Sequence, residues 1–229
     1  MNINRERLNP DKLVGVVGSS GDLGRQVAGV ARERGFTVLS SDTKASDSTS
    51  LQTIMDESDI VHFCIPPTGF EHSHTLRRGQ LILLHDSVMA TSEEINDEHF
   101  EGQADIVHML MNANKSVVIE QNNPHKDHVK SHVGALGLKA IEMSASEHDH
   151  IMAHSQAPLA ILVQMLLPDL KQWQERGFLT PSGDALLSAL DARAANWTDQ
   201  TMNSLLRNPE LSVLVEGIQT IIEAHKDGK

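Results

Sequence analysis

A short apolar run, Leu13-Val14-Gly15-Val16-Val17, leads directly into Gly18-Ser19-Ser20-Gly21-Asp22-Leu23-Gly24. The next residues carry a helical pattern, with Leu23, Val27, Val30 and Ala31 on one face, and Gly35 stops it. A second apolar strand, Phe36-Thr37-Val38-Leu39, follows, and Asp42 closes it. Strand, glycine turn, helix, strand and acid is the arrangement that holds a dinucleotide. Glycines admit the pyrophosphate to the backbone, and the helix N-terminus offers N–H groups and positive potential. The expected cofactor contacts are Gly18, Ser19, Ser20, Gly21, Asp22, Leu23 and Gly24. Serine at 19 stands where the commonest form of the turn has its first glycine. Asp42 is placed to accept from the ribose hydroxyls, which favours NAD; Ser40 and Ser41 leave room for NADP, but no arginine closely follows them.

Charge and composition exclude several classes of partner. A net charge of −12 and a pI near 5.4 disfavour duplex nucleic acid and anionic membrane surfaces. The single cysteine, Cys64, excludes an intrachain disulfide framework and fits a reducing compartment. The opening Met-Asn-Ile-Asn-Arg-Glu-Arg lacks the apolar core of a secretory signal. The longest apolar run, Ala157 to Leu167, is too short to span a bilayer. A cytoplasmic protein without a membrane partner is the expectation.

Apolar runs alternate with helical patterns up to about residue 143. Strands are expected at Ile60–Ile65, ended by Pro66-Pro67, at Leu81–Leu84, Asp105–His108, Ser116–Ile119 and Lys139–Met143. Helices are expected at Ser50–Glu57, before Gly79 and at Pro124–Ala135. Such alternation implies a mostly parallel sheet covered on both faces. After Ser144 the strand signals stop: Glu147 to Leu167 reads as one long helix, followed by helices near Asp184–Leu206 and Glu210–His225. Two domains are expected, 1–143 and 144–229. A helical unit with so little core of its own commonly packs against a copy of itself, so a homodimer through the C-terminal helices is expected.

The junction Ser144-Ala145-Ser146-Glu147-His148-Asp149 resembles the start of the long helix in the prephenate/arogenate dehydrogenase family. Phe63-Cys64-Ile65-Pro66 is similar to that family's strand-to-proline element beside the nicotinamide, and Ser87-Val88 to its Ser-Val pair. His108 falls where the family has His-Pro-Met-x-Gly. The resemblance implies a Rossmann-type, doubly wound α/β domain that binds NAD, followed by a small all-helical domain. It also implies oxidative decarboxylation of a small cyclohexadienol, the reaction that forms tyrosine precursors. On that resemblance His108 is the base or hydrogen-bond acceptor, Ser87 orients it or the hydroxyl, His148 helps place the substrate, and Ile65 and Pro66 border the cofactor. A histidine near pKa 6.5 suits a base at neutral pH.

The chain also departs from that family. His108 is followed by Met109-Leu110-Met111-Asn112, Met89 replaces the lysine after Ser-Val, and Ser155-Gln156-Ala157-Pro158-Leu159-Ala160 lacks a second histidine. Asn203, five residues before Asn208-Pro209, stands at the place of the carboxylate-binding arginine, with Arg193 and Arg207 nearby. A different substrate, or a non-catalytic NAD-binding dimer, therefore stays open. A β-hydroxyacid dehydrogenase is disfavoured, since no lysine occurs between Ser144 and Asp169. Thirteen histidines include the pairs His128/His132 and His150/His154 at helical spacing, with His125 one turn before His128. No cysteine or carboxylate completes a diagnostic metal set, so these read as solvated helix histidines and no metal is expected. His72 and His74 read as surface residues near the cofactor cleft.

Overall fold

The computed structural model describes residues 12–45, 48–66, 69–70, 76–110, 115–196 and 199–226. The helical stretch expected before Gly79 falls largely outside these residues, as do His72, His74, Pro67, Met111 and Asn112. The chain divides into two compact units, Met1–Ala145 and Ser146–Lys229.

The first unit is built on seven strands: β1 (Leu13–Val17), β2 (Thr37–Ser41), β3 (Ile60–Phe63), β4 (Leu81–His85), β5 (Asp105–Leu110), β6 (Ser116–Glu120) and β7 (Lys139–Met143). They form one sheet in the order β2-β1-β3-β4-β5-β6-β7. Every neighbouring pair is parallel except β5 and β6. Leu110 and Ser116 lie too close in sequence for the crossover connection that a parallel pair needs, in keeping with the antiparallel pairing of β5 and β6. Side chains alternate between faces along each strand. On one face Val14, Val16, Ile60 and Leu83 pack with Val27 and Ala31 of α1 (Asp22–Glu33) and Val129 and Val133 of α4 (Lys126–Ala135). On the other, Val61, Phe63, Ile82 and Leu84 pack with Ile54 of α2 (Leu51–Glu57) and with Ile95 and Phe100 of α3 (Met89–Phe100). Both faces are thus covered, as a parallel sheet requires.

Local chemistry fixes the element ends. Helix α1 closes through Gly35 at φ +86°, with the Phe36 N–H reaching back to the Ala31 carbonyl, a left-handed cap that glycine adopts without strain. Ser50 caps α2 by accepting from the Thr53 N–H at 3.0 Å.

Helix α3 is absent from the sequence-based expectation. Its stretch Met89-Ala90-Thr91-Ser92-Glu93-Glu94-Ile95-Asn96-Asp97-Glu98-His99-Phe100 has few apolar residues, yet Met89, Ser92, Ile95, Asn96 and Phe100 are buried at helical spacing. Two of them are polar, and Asn96 is satisfied by bonding both the Ala104 N–H and its carbonyl.

The second unit is helical: α5 (Ala145–Ser155, its first residue still in the first unit), α6 (Ala157–Glu175), α7 (Pro181–Asn196), α8 (Asp199–Leu206) and α9 (Leu211–Lys226). Val163, Leu167 and Leu170 of α6 pack on Leu187 and Leu190 of α7, and Met152 and Ala160 pack on Leu205. The expected long helix is divided at Gln156, because Pro158 sits in the first turn of α6 and has no N–H to continue the α5 ladder. The described residues of the helix expected near Asp184–Leu206 lie in α7 and α8, on either side of residues 197–198. By length and composition the stretch Ala145–Glu175 does contain an apolar window able to cross a membrane, contrary to the sequence-based expectation. In the fold, Val163, Leu167 and Leu170 of that stretch instead form the core against α7.

Candidate active site

The order of the sheet places β1 between β2 and β3, so successive connections leave β1 on opposite sides. That is the switch point at which ligands of doubly wound sheets bind, beyond the carboxyl ends of the strands. The glycine turn follows β1 there. Gly18 has φ +80°, and a Cβ on it would lie 2.6 Å from the Cys64 carbonyl oxygen. A Cβ on Gly24 would lie 2.1 Å from the Gly18 carbonyl oxygen. These glycines therefore let helix α1 sit directly on the strand ends. The N-cap residue of α1, Gly21, makes no side-chain cap hydrogen bond. The first-turn N–H groups are thus not taken by a capping side chain, which suits an anionic pyrophosphate. The residues fit a dinucleotide.

Asp42 lies just past β2, where its carboxylate accepts from the Ser20 N–H at 2.9 Å and the Lys44 N–H at 2.8 Å. Burial pushes this carboxyl up, but the Lys44 and Ser20 N–H groups outweigh burial and hold it below its ordinary value. The Ser41 carbonyl accepts from the Gly18 and Ser19 N–H groups at 2.8 and 3.1 Å. Ile65 also packs on the turn, its Cγ2 falling 2.9 Å from a Cβ built on Gly18. The Pro66 carbonyl accepts from the Gly69 N–H at 2.8 Å. Gly18 to Gly24, Asp42 and Ile65 thus form one group, with Pro66 next along the chain.

Two arginines were not singled out from the sequence. Arg25, one turn into α1, bonds the Asp22 carboxylate and the Ser20 carbonyl, and so sets a guanidinium across the glycine turn. Arg32 donates to the Ser40 hydroxyl at 3.0 Å. Its spacing hid this contact, because it precedes β2 rather than following it.

Ser87 and His108 also belong to the first unit. Asp86, immediately beyond β4, accepts from the Ser87 N–H at 2.6 Å and so shapes the turn that presents Ser87. A cavity of about 10 Å³, room for roughly one water, lies beside it, lined by Phe63, Ile65, Phe70, Leu84, His85, Asp86, Ser92 and Ile95. His108 is half-buried on β5, opposite Val118 of β6. Strand alternation puts His108 on the same face as Ile106, which packs on Met89, two residues after Ser87. Both residues therefore stand at the carboxyl ends of adjacent strands.

His148 belongs to the second unit. Its ring Nδ1 lies 2.8 Å from the Asp149 carboxylate, both side chains almost wholly buried. The Asn208 amide donates to the Asp149 carbonyl at 2.8 Å, tying the start of α9 to α5. Asn203 is exposed on α8, and the Arg207 N–H bonds its carbonyl. His132, expected to be solvated, is instead fully buried, while His128 one turn away is exposed.

No protein-family model matches the chain, and no curated protein matches it in sequence. Its fold is similar to that of several solved dehydrogenases. Within that class it has the fold of prephenate and arogenate dehydrogenases. A structure of prephenate dehydrogenase from A. aeolicus, in complex with hydroxyphenyl propionate and NAD+, is similar with a TM-score of 0.69 and 19% identity, over 94% of this chain and 90% of that one. Synechocystis arogenate dehydrogenase is similar with a TM-score of 0.57 and 15% identity, over 94% and 92%. Salmonella typhimurium 3-hydroxyisobutyrate dehydrogenase is more distant in coverage, with a TM-score of 0.58 and 13% identity over 84% and 76%.

Proposed function

We propose that this chain is an NAD-dependent dehydrogenase of prephenate/arogenate type that oxidises a small cyclohexadienol with loss of carbon dioxide. The observation that carries the reading is the glycine turn at the switch point, with Gly18 and Gly24 packed too closely for any Cβ. Its first unit, Met1–Ala145, is the cofactor-binding domain, and Ser146–Lys229 the substrate and dimerisation domain. NAD would be held by Gly18, Ser19, Ser20, Gly21, Asp22, Leu23 and Gly24, with Asp42 toward the ribose and Ile65 and Pro66 toward the nicotinamide. When bound, it supplies a hydride acceptor. The ionised carboxyl of Asp42 would repel a 2′-phosphate, so NAD is favoured even though Arg32 reaches Ser40.

His108 accepts the proton of the substrate hydroxyl, and Ser87 orients that hydroxyl. His148, its Nδ1 beside the Asp149 carboxylate, helps place the substrate. The chain acts as a cytoplasmic homodimer joined through its C-terminal helices.

Formation of NADH with prephenate and with arogenate at millimolar concentration tests the substrate, and the same assay with NADP tests the cofactor. His108→Asn is expected to lower kcat by about 10²–10⁴-fold, the ordinary share of a positioned base. Turnover unaffected by that substitution removes His108 from the chemistry. NAD binding without turnover of either substrate supports the second reading, a dehydrogenase for another substrate or a non-catalytic NAD-binding dimer. The exposed asparagine at 203, where the resemblance calls for an arginine, is what favours that reading.

A further inference from the structure

Three histidines outside the proposed site form a continuous row inside the first unit. His62 of β3 lies with its Nδ1 2.8 Å from Nε2 of His85, the last residue of β4. Its Nε2 lies 2.9 Å from Nε2 of His132 on α4. The rings of His62 and His85 are stacked, 5.1 Å apart at 21°. All three side chains are within a few per cent of complete burial. The outer nitrogens, Nδ1 of His85 and Nδ1 of His132, are buried and have no hydrogen-bond partner among the described residues. Because His62 contributes different nitrogens to its two contacts, one metal ion cannot be held by all three rings, and no cluster of three metal-ligating side chains occurs among the described residues.

A neutral imidazole has one N–H and one lone pair. His62, facing a ring nitrogen on each side, must therefore donate to one neighbour and accept from the other. That requirement forces all three rings to point the same way. In one arrangement His85 donates from Nε2 to His62, His62 donates from Nε2 to His132, and His132 carries its proton on Nδ1. In the other, His132 donates from Nε2 to His62, His62 donates from Nδ1 to His85, and His85 carries its proton on Nδ1.

We propose that His85, His62 and His132 form a proton-shift row with two neutral states, in which the state of one end sets the state of the other. Both end nitrogens are sealed in the folded chain, so the shift takes place when a local opening admits water to each end, and it balances there. A water proton is taken up at His85 Nδ1, the His85 Nε2 proton passes to His62 Nδ1, the His62 Nε2 proton passes to His132 Nε2, and the His132 Nδ1 proton leaves to water. Each ring is neutral before and after. A second proton cannot follow until the rings turn over, which their stacking and burial hinder, so the row is a latch rather than a conductor. The end it switches is His85, which precedes the Asp86 turn that presents Ser87. The row stands on its own geometry and holds whether or not the chain oxidises a cyclohexadienol.

The full chain labelled with ¹⁵N-histidine, examined by long-range proton–nitrogen correlation at neutral pH, tests this directly. All three rings are expected to be neutral, with their N–H groups running in one direction. In His132→Leu, which removes the partner of His62 Nε2, the His85 proton is expected to redistribute between its two nitrogens. His128→Gln, an exposed change on the same helix, is expected to leave His85 unchanged. A cationic His62 donating to both neighbours overturns the proposal, and the wild-type spectrum decides that even if His132→Leu fails to fold. A folded His132→Leu with an unchanged His85 tautomer overturns it equally.

Discussion

An added methyl group at Gly24 would stand 2.1 Å from the carbonyl oxygen of Gly18, and neither atom is on a flexible side chain. Helix α1 would have to lift from the strand ends. Gly24→Ala is therefore expected to destabilise the protein by about 1–3 kcal/mol, the ordinary cost of overpacking, and to weaken NAD binding by displacing the first-turn N–H groups. Gly29, in the same helix, has nothing within 4 Å of its would-be Cβ. Gly29→Ala is expected to stabilise by about 0.5–1 kcal/mol, since alanine costs less backbone entropy in a helix. Urea titrations of the two variants check both signs. Residue 203 makes the converse case. A guanidinium grips a carboxylate with two charge-assisted bonds, which an asparagine amide lacks. Asn203→Arg is expected to lower KM for prephenate about tenfold or more, on roughly 1.5–3 kcal/mol for such a bond, with kcat little changed. An unchanged KM means that position 203 does not face the substrate carboxylate.

Among the elements, the β3–β4–α4 histidine row sets the response to acid. Burial, then the neighbouring His132 and His85, hold His62 well below its ordinary value. Burial first, and His132 second, bring His85 down to about 3. Burial, with the charge of Lys12 facing it, brings His132 down to about 4. The unfolded chain takes up these protons near pH 6.5, while the folded chain does not. Stability from the row is thus fully present above about pH 6.5 and is lost as the pH falls toward the folded values. Each histidine contributes a slope of about 1.4 kcal/mol per pH unit in that window. The urea midpoint, followed by circular dichroism, is expected to drop steeply between pH 7 and pH 5. His62→Phe, if folded, is expected to flatten that drop. A midpoint independent of pH over this range contradicts the buried neutral row.

This row also shows where the sequence was mute. Strand and helix periods exposed β1, α1 and β2, because continuous apolar runs and a one-sided helical face leave direct marks in the order of residues. The partners of His62 lie 23 and 70 residues away, and only the folded sheet brings them together. His132 carried the same local spacing to His128 as a solvated pair, yet it faces inward against Phe36. Helix α3 was hidden for a related reason: Ser92 and Asn96 occupy buried positions, so its inner face lacked an apolar signature. The turn and Asp42 were legible as a pattern, whereas the contact of Arg32 with Ser40 depends on a helix end returning beside a strand.

At the scale of the whole molecule, apolar surface is distributed unevenly. Among the described residues every large exposed hydrophobic side chain lies in the second unit: Ile151, Met165, Trp173, Phe178, Leu186, Val213, Val215, Ile218 and Ile221. Four of them belong to α9, where Val215, Ile218 and Ile221 recur every third residue and so share a side of the helix. Isolated exposed apolar residues are ordinary on a monomer, but a run of this kind on one element marks a surface meant to be covered. A second copy of the chain meets the requirement by presenting the same stripe to itself across a twofold axis. Sedimentation equilibrium is expected to give twice the 25.1 kDa chain mass. Ile218→Asp combined with Ile221→Asp places two carboxylates in that stripe, where both would be buried without partners on association. The double variant is expected to sediment as a single chain while keeping its NAD affinity, because the glycine turn and Asp42 lie wholly in the other unit. A wild-type chain that sediments singly at every concentration, or a double variant that remains paired, places the contact elsewhere.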